Sequence, residues 1–293
     1  MKFKIAVIQF HPLPLNVEAN FARMEEYINQ VATEGADLVV FPEYSVSHVH
    51  PDPETGHAPQ DFGKTHLERF KVLACKYKID LVPGSILEVN SENSNCYNIG
   101  YYIDREGRVL GEYQKVNLWH PERDHFESGT TYCPTFNTRF GKVGLLICWD
   151  LIFHEGFHKL IEEDAEMIIA PAFWSLEDAG IGLKHNPLSE RTLLNALCVT
   201  RAFENEIIFV FANFGDSQQD PDTEKNQVGE IIHSAGCSQI TVPFKGSLRS
   251  VPDSKEGYFV QEVDTDILKD AESVYKIRAD LKEKAPKFET NSK

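Results

Sequence analysis

The sequence predicts an α/β protein. Short apolar runs such as Ala36–Phe41, Val143–Cys148 and Met167–Ala170 suit strands covered on both faces. Between them lie longer segments whose apolar residues recur at helical spacing, which places helices over sheet faces. In addition, several apolar runs stop at or just before a residue that can act as base, cation or nucleophile.

Taken in order, Lys4–Phe10 alternates like a strand and lacks the apolar core and cleavage site of a signal peptide. Val17–Glu34 is a helix. Ala36–Phe41 is a strand that runs through Pro42 to Glu43. His48, His50, His57 and His66 fall in a polar stretch and are read as solvated or pocket-lining. Lys64–Tyr77 predicts a helix and Leu81–Glu88 one strand. Tyr97–Ile103 and Arg108–Tyr113 pair around the turn Asp104–Gly107, and the second leads to Lys115. Val143–Cys148, opened by Gly141 and followed by Trp149 and Asp150, precedes Phe153–Glu163. There Phe153, Phe157, Leu160 and Ile161 share one helical face. Met167–Ala170, Ser189–Glu204 and Ile207–Ala212 continue the alternation as strand, helix and strand.

Cys148 therefore falls where a buried strand gives way to a helix. A helix N-terminus stabilises a thiolate, so this position predicts a lowered thiol pKa. Glu43 can take a thiol proton, Lys115 can stabilise a carbonyl oxygen's developing charge, and Cys148 can attack.

The 293 residues contain no Gly/Ser-rich or Pro-rich linker and are read as one domain, 1–281, with a polar C-terminal tail over 282–293. Forty-five acidic and 29 basic side chains give a formal charge of −16, which argues against nucleic acid or an anionic membrane as a partner. No apolar run reaches membrane-spanning length. Six cysteines (75, 96, 133, 148, 198 and 237) include no CxxC pair, which suits a reducing cytoplasm. No cofactor is expected.

Several motifs in one order resemble the nitrilase superfamily, the carbon–nitrogen hydrolases. Phe41-Pro42-Glu43, Lys115 followed by Glu122, and Cys148-Trp149-Asp150 are similar to its Glu–Lys–Cys signature. Ala6-Val7-Ile8-Gln9, Arg201-Ala202 with Glu204-Asn205, Ala212-Asn213, Gly236-x-Ser238, Asp264 and Tyr275–Leu281 resemble further family segments. The resemblance implies a four-layer α-β-β-α sandwich and, by analogy, a homodimer or larger homo-oligomer. It implies that Glu43 is the base, that Cys148 forms a thioester with a small-molecule amide or carbamoyl substrate, and that Lys115 and the Trp149 N–H hold the oxyanion. Glu122 matches the second glutamate that supports the lysine, and Glu127 competes for that role. Trp119, His120, Phe126, Phe173 and Trp174 suggest aromatic pocket walls.

The Cys-Trp-Asp sequence is closer to the amidase and carbamoylase branches than to nitrilases proper, which usually carry Cys-Trp-Glu. A nitrile substrate remains the alternative. Ile152 stands where those branches often carry an arginine, which disfavours an acidic ω-amide. A rival motif, His154-Glu155-Gly156-Phe157-His158, fits the H-E-x-x-H of zinc hydrolases. Gly156 weakens that helix and no third ligand has a matching spacing, so no metal is expected.

Overall fold

The computed structural model describes residues 1–14, 16–47, 63–89, 95–132, 134–218 and 231–288. Its strands and helices, in order, are β1 Lys2–Gln9, α1 Val17–Thr33, β2 Leu38–Val40, α2 Gly63–Tyr77, β3 Asp80–Val82, β4 Ser85–Val89, β5 Cys96–Ile103 and β6 Val109–Gln114. There follow β7 Phe136–Thr138, β8 Gly141–Leu145, α3 His154–Glu162, β9 Met167–Ala172, α4 Ser189–Asn205, β10 Ile208–Asn213, β11 Gln239–Val242, β12 Gly246–Ser250, β13 Gly257–Asp264, α5 Asp266–Tyr275 and α6 Ile277–Phe288.

Among the described residues these form two sheets. One has the order β13-β1-β2-β3-β5-β4, with β6 paired to β5. The other runs β12-β11-β10-β9-β8-β7. The β1–β2–β3 and β8–β9–β10 neighbours are parallel. Side-chain alternation assigns the layers. Along β1, Ile5 and Val7 join the cluster that also contains Val143, Leu145 and Val210. Ala6 and Ile8 instead pack with Phe21, Met24 and Ile28 of α1 and Phe70 and Ala74 of α2. In the second sheet, the row Gly144, Ile168 and Phe209 faces α3: an added Cβ at Gly144 would meet Leu160, and Phe209 lies 5.6 Å from Phe157, ring to ring. The adjacent row, Leu145, Ile169 and Val210, therefore faces the first sheet. The result is the expected α-β-β-α arrangement.

Several boundaries differ from the sequence reading. The single strand expected over Leu81–Glu88 is two, because Pro83 and Gly84 turn the chain. Gly84 has φ +88, and an added Cβ would stand 1.8 Å from the Pro42 carbonyl oxygen. Only glycine allows this approach next to Glu43. His66 is not in a polar loop. It lies in α2, buried, with its ring 5.1 Å from Phe21. His48, His50, His57 and Cys133 lie outside the described residues. The tail boundary proposed at 282 falls inside α6, where Lys282 donates to Asp164 at 2.7 Å.

The segment after β8 also differs. No α-helix starts at Cys148. A 3-10 turn, Cys148–Ile152, intervenes, and α3 begins only at His154. Cys148 has φ +46, a left-handed conformation that costs a non-glycine residue about 1–2 kcal/mol. Buried Asp150 holds the turn by accepting from the N–H groups of Ile147 and Asn117, both at 2.9 Å, and from the Tyr113 hydroxyl at 2.8 Å. From the other side, the Arg201 guanidinium donates to the Leu151 and Ile152 carbonyls at 2.9 and 3.0 Å.

Candidate active site

The candidate residues come from the C-terminal ends of strands in both sheets. Glu43 follows β2, Lys115 follows β6, Cys148 follows β8, and Phe173 follows β9. Lys115 and Glu43 are each 1% exposed, so their charges must be met inside the protein. Lys115 Nζ donates to Glu43 Oε1 at 2.8 Å and to Glu122 Oε1 at 2.8 Å. Glu43 Oε2 accepts the Phe173 N–H at 3.0 Å, and Glu122 Oε2 accepts the Trp119 N–H at 2.6 Å. The Cys148 thiol faces the Phe173 carbonyl, with a long S···O separation of 3.9 Å.

Two residues in this network were not singled out from sequence. Asn98 donates to Glu43 Oε1 at 2.8 Å and to the Tyr44 hydroxyl at 2.9 Å, while Tyr44 donates to Glu122 Oε1. A signal for Asn98 existed: it is a lone amide in the otherwise apolar and aromatic β5, where a buried polar group must find a partner. Tyr44 carried none beyond its place next to Glu43.

Electrostatics follow from burial. Loss of water raises the Glu43 pKa to about 7; Lys115 opposes the rise and Glu122 adds to it. Burial works against the charge on Lys115, yet Glu122, Glu43 and Cys148 together hold its pKa well above the ordinary lysine value. The lowered thiol pKa expected for Cys148 is overturned. Burial and the Glu43 carboxylate push it well above the ordinary cysteine value, and Lys115 offsets only part of that.

These groups line a cavity of about 140 Å³ together with Tyr44, Trp119, Trp149, Phe173, Trp174, Ser175, Glu177, Asp178 and Ile232. Trp149 stands between Trp119 and Trp174, with ring centroids 4.3 and 5.3 Å away. Phe173 stacks on Phe214 at 4.0 Å. His120 is not among the cavity residues. It opens an exposed 3-10 turn and lays its ring against Trp119 at 4.9 Å, on the solvent side. Phe126 packs behind the site with Leu87, Cys96 and Leu118. Glu127, the alternative to Glu122, is exposed and takes a hydrogen bond from Asn95 at 2.6 Å. A second network supports the cavity wall. Asn213 accepts the Trp174 N–H at 2.8 Å and gives its own N–H to Ser238 at 2.9 Å, and Ser238 donates to Gln9 at 2.8 Å.

A family profile for carbon-nitrogen hydrolases matches residues 4–265. The chain belongs to the carbon-nitrogen hydrolase family. It is 30% identical over 275 residues to a probable nitrilase of Schizosaccharomyces pombe, covering 91% of this chain and 90% of that protein. A citrullinase of Francisella tularensis is also 30% identical, over 57% of this chain and 60% of its own length. The fold is similar to Nit3 of Saccharomyces cerevisiae, with TM-score 0.75 and 23% identity over 94% of each chain. It is likewise similar to an amidase of Nesterenkonia, with TM-score 0.74 and 22% identity over 92% of this chain and 93% of that one. This carbon-nitrogen hydrolase is therefore an enzyme that cleaves C–N bonds.

The rival zinc motif is not assembled. His154 and His158 are exposed on α3 with rings 5.2 Å apart, and among the described residues no group of three or more His, Cys, Asp or Glu could hold a metal. No helix among the described residues is long and apolar enough to cross a membrane.

Proposed function

We propose that the enzyme hydrolyses a small amide or carbamoyl compound through a thioester on Cys148. The observation that carries this reading is the buried Lys115 ammonium held between Glu43 and Glu122 in the cavity that Cys148 lines. Glu43 takes the thiol proton as sulfur attacks the carbonyl carbon. The C=O π pair moves to oxygen, where Lys115 and the Trp149 N–H hold the negative charge. On collapse the C–N bond breaks, and the Glu43 proton goes to the leaving nitrogen. Water then attacks the thioester and gives a proton to Glu43. The acid leaves, and that proton returns to sulfur. Glu122, braced by Tyr44 and the Trp119 N–H, fixes Lys115. The Nesterenkonia amidase supports the covalent step, since a structure of it shows the acetamide moiety of fluoroacetamide added to its active-site cysteine.

A nitrile substrate is the second reading, favoured by the name of the S. pombe relative. Five cysteines are free among the described residues, which supports a cytoplasmic setting. Exposed Phe244, Val274 and Tyr275 offer an apolar patch for self-association.

The test is rapid-quench intact mass spectrometry of enzyme mixed with amides and nitriles, alongside ammonia release. An acyl adduct mapping to Cys148 is expected. Cys148→Ala and Glu43→Gln are each expected to lose at least ~10²–10⁴-fold in turnover. Full activity in Cys148→Ala would end the proposal.

A further inference from the structure

The cavity has a second set of charged residues that the chemistry above does not use. Beyond Glu43, Lys115 and Glu122, the charged side chains lining it among the described residues are Glu177 and Asp178, both acidic. Lys115 is the one cation in that set, and it is already held by two carboxylates at 2.8 Å. Glu177 is shared with His233, whose N–H donates to it at 2.7 Å and whose Nδ1 lies 2.8 Å away. Asp178 accepts the Ser175 N–H at 2.8 Å. The same cavity is walled by the rings of Tyr44, Trp119, Trp149, Phe173 and Trp174. Aromatic faces attract cations through the ring quadrupole, and carboxylates attract them directly.

We propose that this cavity selects amide or carbamoyl substrates whose acyl portion carries a positively charged amine. The inference rests on the hydrolase reading above and names its substrate class. An anionic acyl chain would meet Glu177 and Asp178 with no cation left to pair with it. A neutral chain would fit but leave the carboxylates unused. Size narrows the class further. A cavity of about 150 Å³ holds one benzene, so the cavity here takes an acyl portion of roughly six non-hydrogen atoms. The chain's formal charge of −16 also draws cations toward the protein and repels anions. Asp178, whose pKa burial raises to about 6, is ionised at neutral pH and ready to pair.

The experiment compares kcat/KM for 3-aminopropanamide, butanamide and malonamate near neutral pH, read as ammonia release. The cationic amide is expected to exceed butanamide by at least about tenfold, and butanamide to exceed malonamate. In Asp178→Asn the ratio of cationic to neutral substrate should fall toward one, and Glu177→Gln should lower it as well. The wild-type ratio decides the matter even if a variant fails to fold. Turnover of butanamide equal to or above that of 3-aminopropanamide overturns this inference and leaves the hydrolase proposal standing. No turnover of any amide, with no adduct on Cys148, overturns both.

Discussion

Replacing Lys115 by methionine tests the electrostatics of the site directly. Its ammonium lies 2.8 Å from carboxylate oxygens of Glu43 and of Glu122, and all three side chains are buried. At an effective dielectric of about 20, each contact supplies roughly 6 kcal/mol of Coulomb attraction before desolvation is counted. Methionine has a similar length and volume, so packing changes little. What changes is charge: two carboxylates stay buried with no cation. Removing one partner of a buried ion pair costs about 3–5 kcal/mol. That is a large share of the ~5–15 kcal/mol that holds a typical domain together.

The loss should carry a pH signature. The Glu43 pKa is raised from 4.5 to about 7, and without Lys115 it rises further. A carboxyl with a raised folded-state pKa gives its full stabilisation below the unfolded pKa and loses it as pH rises through the folded value. Protonated Glu43 therefore relieves the variant at low pH. The destabilisation should shrink to less than about half between pH ~8 and pH ~5.5. Urea unfolding followed by tryptophan fluorescence reads both quantities. A loss below about 1 kcal/mol, or one equal at the two pH values, would refute the reasoning.

Turnover of a neutral amide should fall about tenfold per pH unit below the Glu43 pKa of about 7 and level off above it, because the base works only ionised; a flat acid limb in kcat/KM would remove Glu43 from that role. Gly84→Ala should press on the Pro42 carbonyl, cost on the order of 2 kcal/mol and lower kcat by shifting Glu43. An unchanged melting temperature with full activity would contradict it. Buried Glu206 accepts the N–H groups of Ile277 and Arg278 at the start of α6, and burial together with the Glu272 carboxyl raises its pKa to about 7. Its stabilisation is present at low pH and is lost as pH rises through about 7, so Glu206→Gln should lessen the fall in melting temperature from mildly acid to mildly basic pH. An identical pH slope in the variant would exclude that role.

Much of this was legible because strand ends are local. Glu43, Lys115 and Cys148 each follow an apolar run, and the order of motifs supplied the convergence that periodicity alone could not. Arg201 and Asn213 stood out only as parts of motifs. Their purpose, holding the Leu151 carbonyl and the Trp174 N–H, depends on contacts across about 40 to 50 residues. The break at Pro83-Gly84 was written in the residue types and was passed over because apolar residues flank it. The position of His120 was not legible. An aromatic ring beside Trp119 can turn into the cavity or away from it, and only the course of the 3-10 turn decides. Glu177 and Asp178 were missed for a similar reason, since acidic residues in an irregular segment read as solvated surface.

The thiol of Cys148 shows where local reasoning fails. A helix start and a nearby lysine both favour a thiolate, but the helix start is absent and the lysine is already shared. With Glu43 and Glu122 ionised and Lys115 charged, two negative groups meet one positive group, a formal charge of −1 in a buried space. A resting thiolate would make it −2 with water excluded, so burial and Glu43 hold the proton on sulfur. Passing that proton to Glu43 keeps the total at −1. On the proposed mechanism, transfer then occurs as the substrate carbonyl draws charge toward Lys115, so the negative charge created on sulfur moves onto an oxygen with donors around it. A Glu43 pKa near neutrality suits this exchange, because a carboxylate at its ordinary pKa would be too weak a base for so reluctant a thiol.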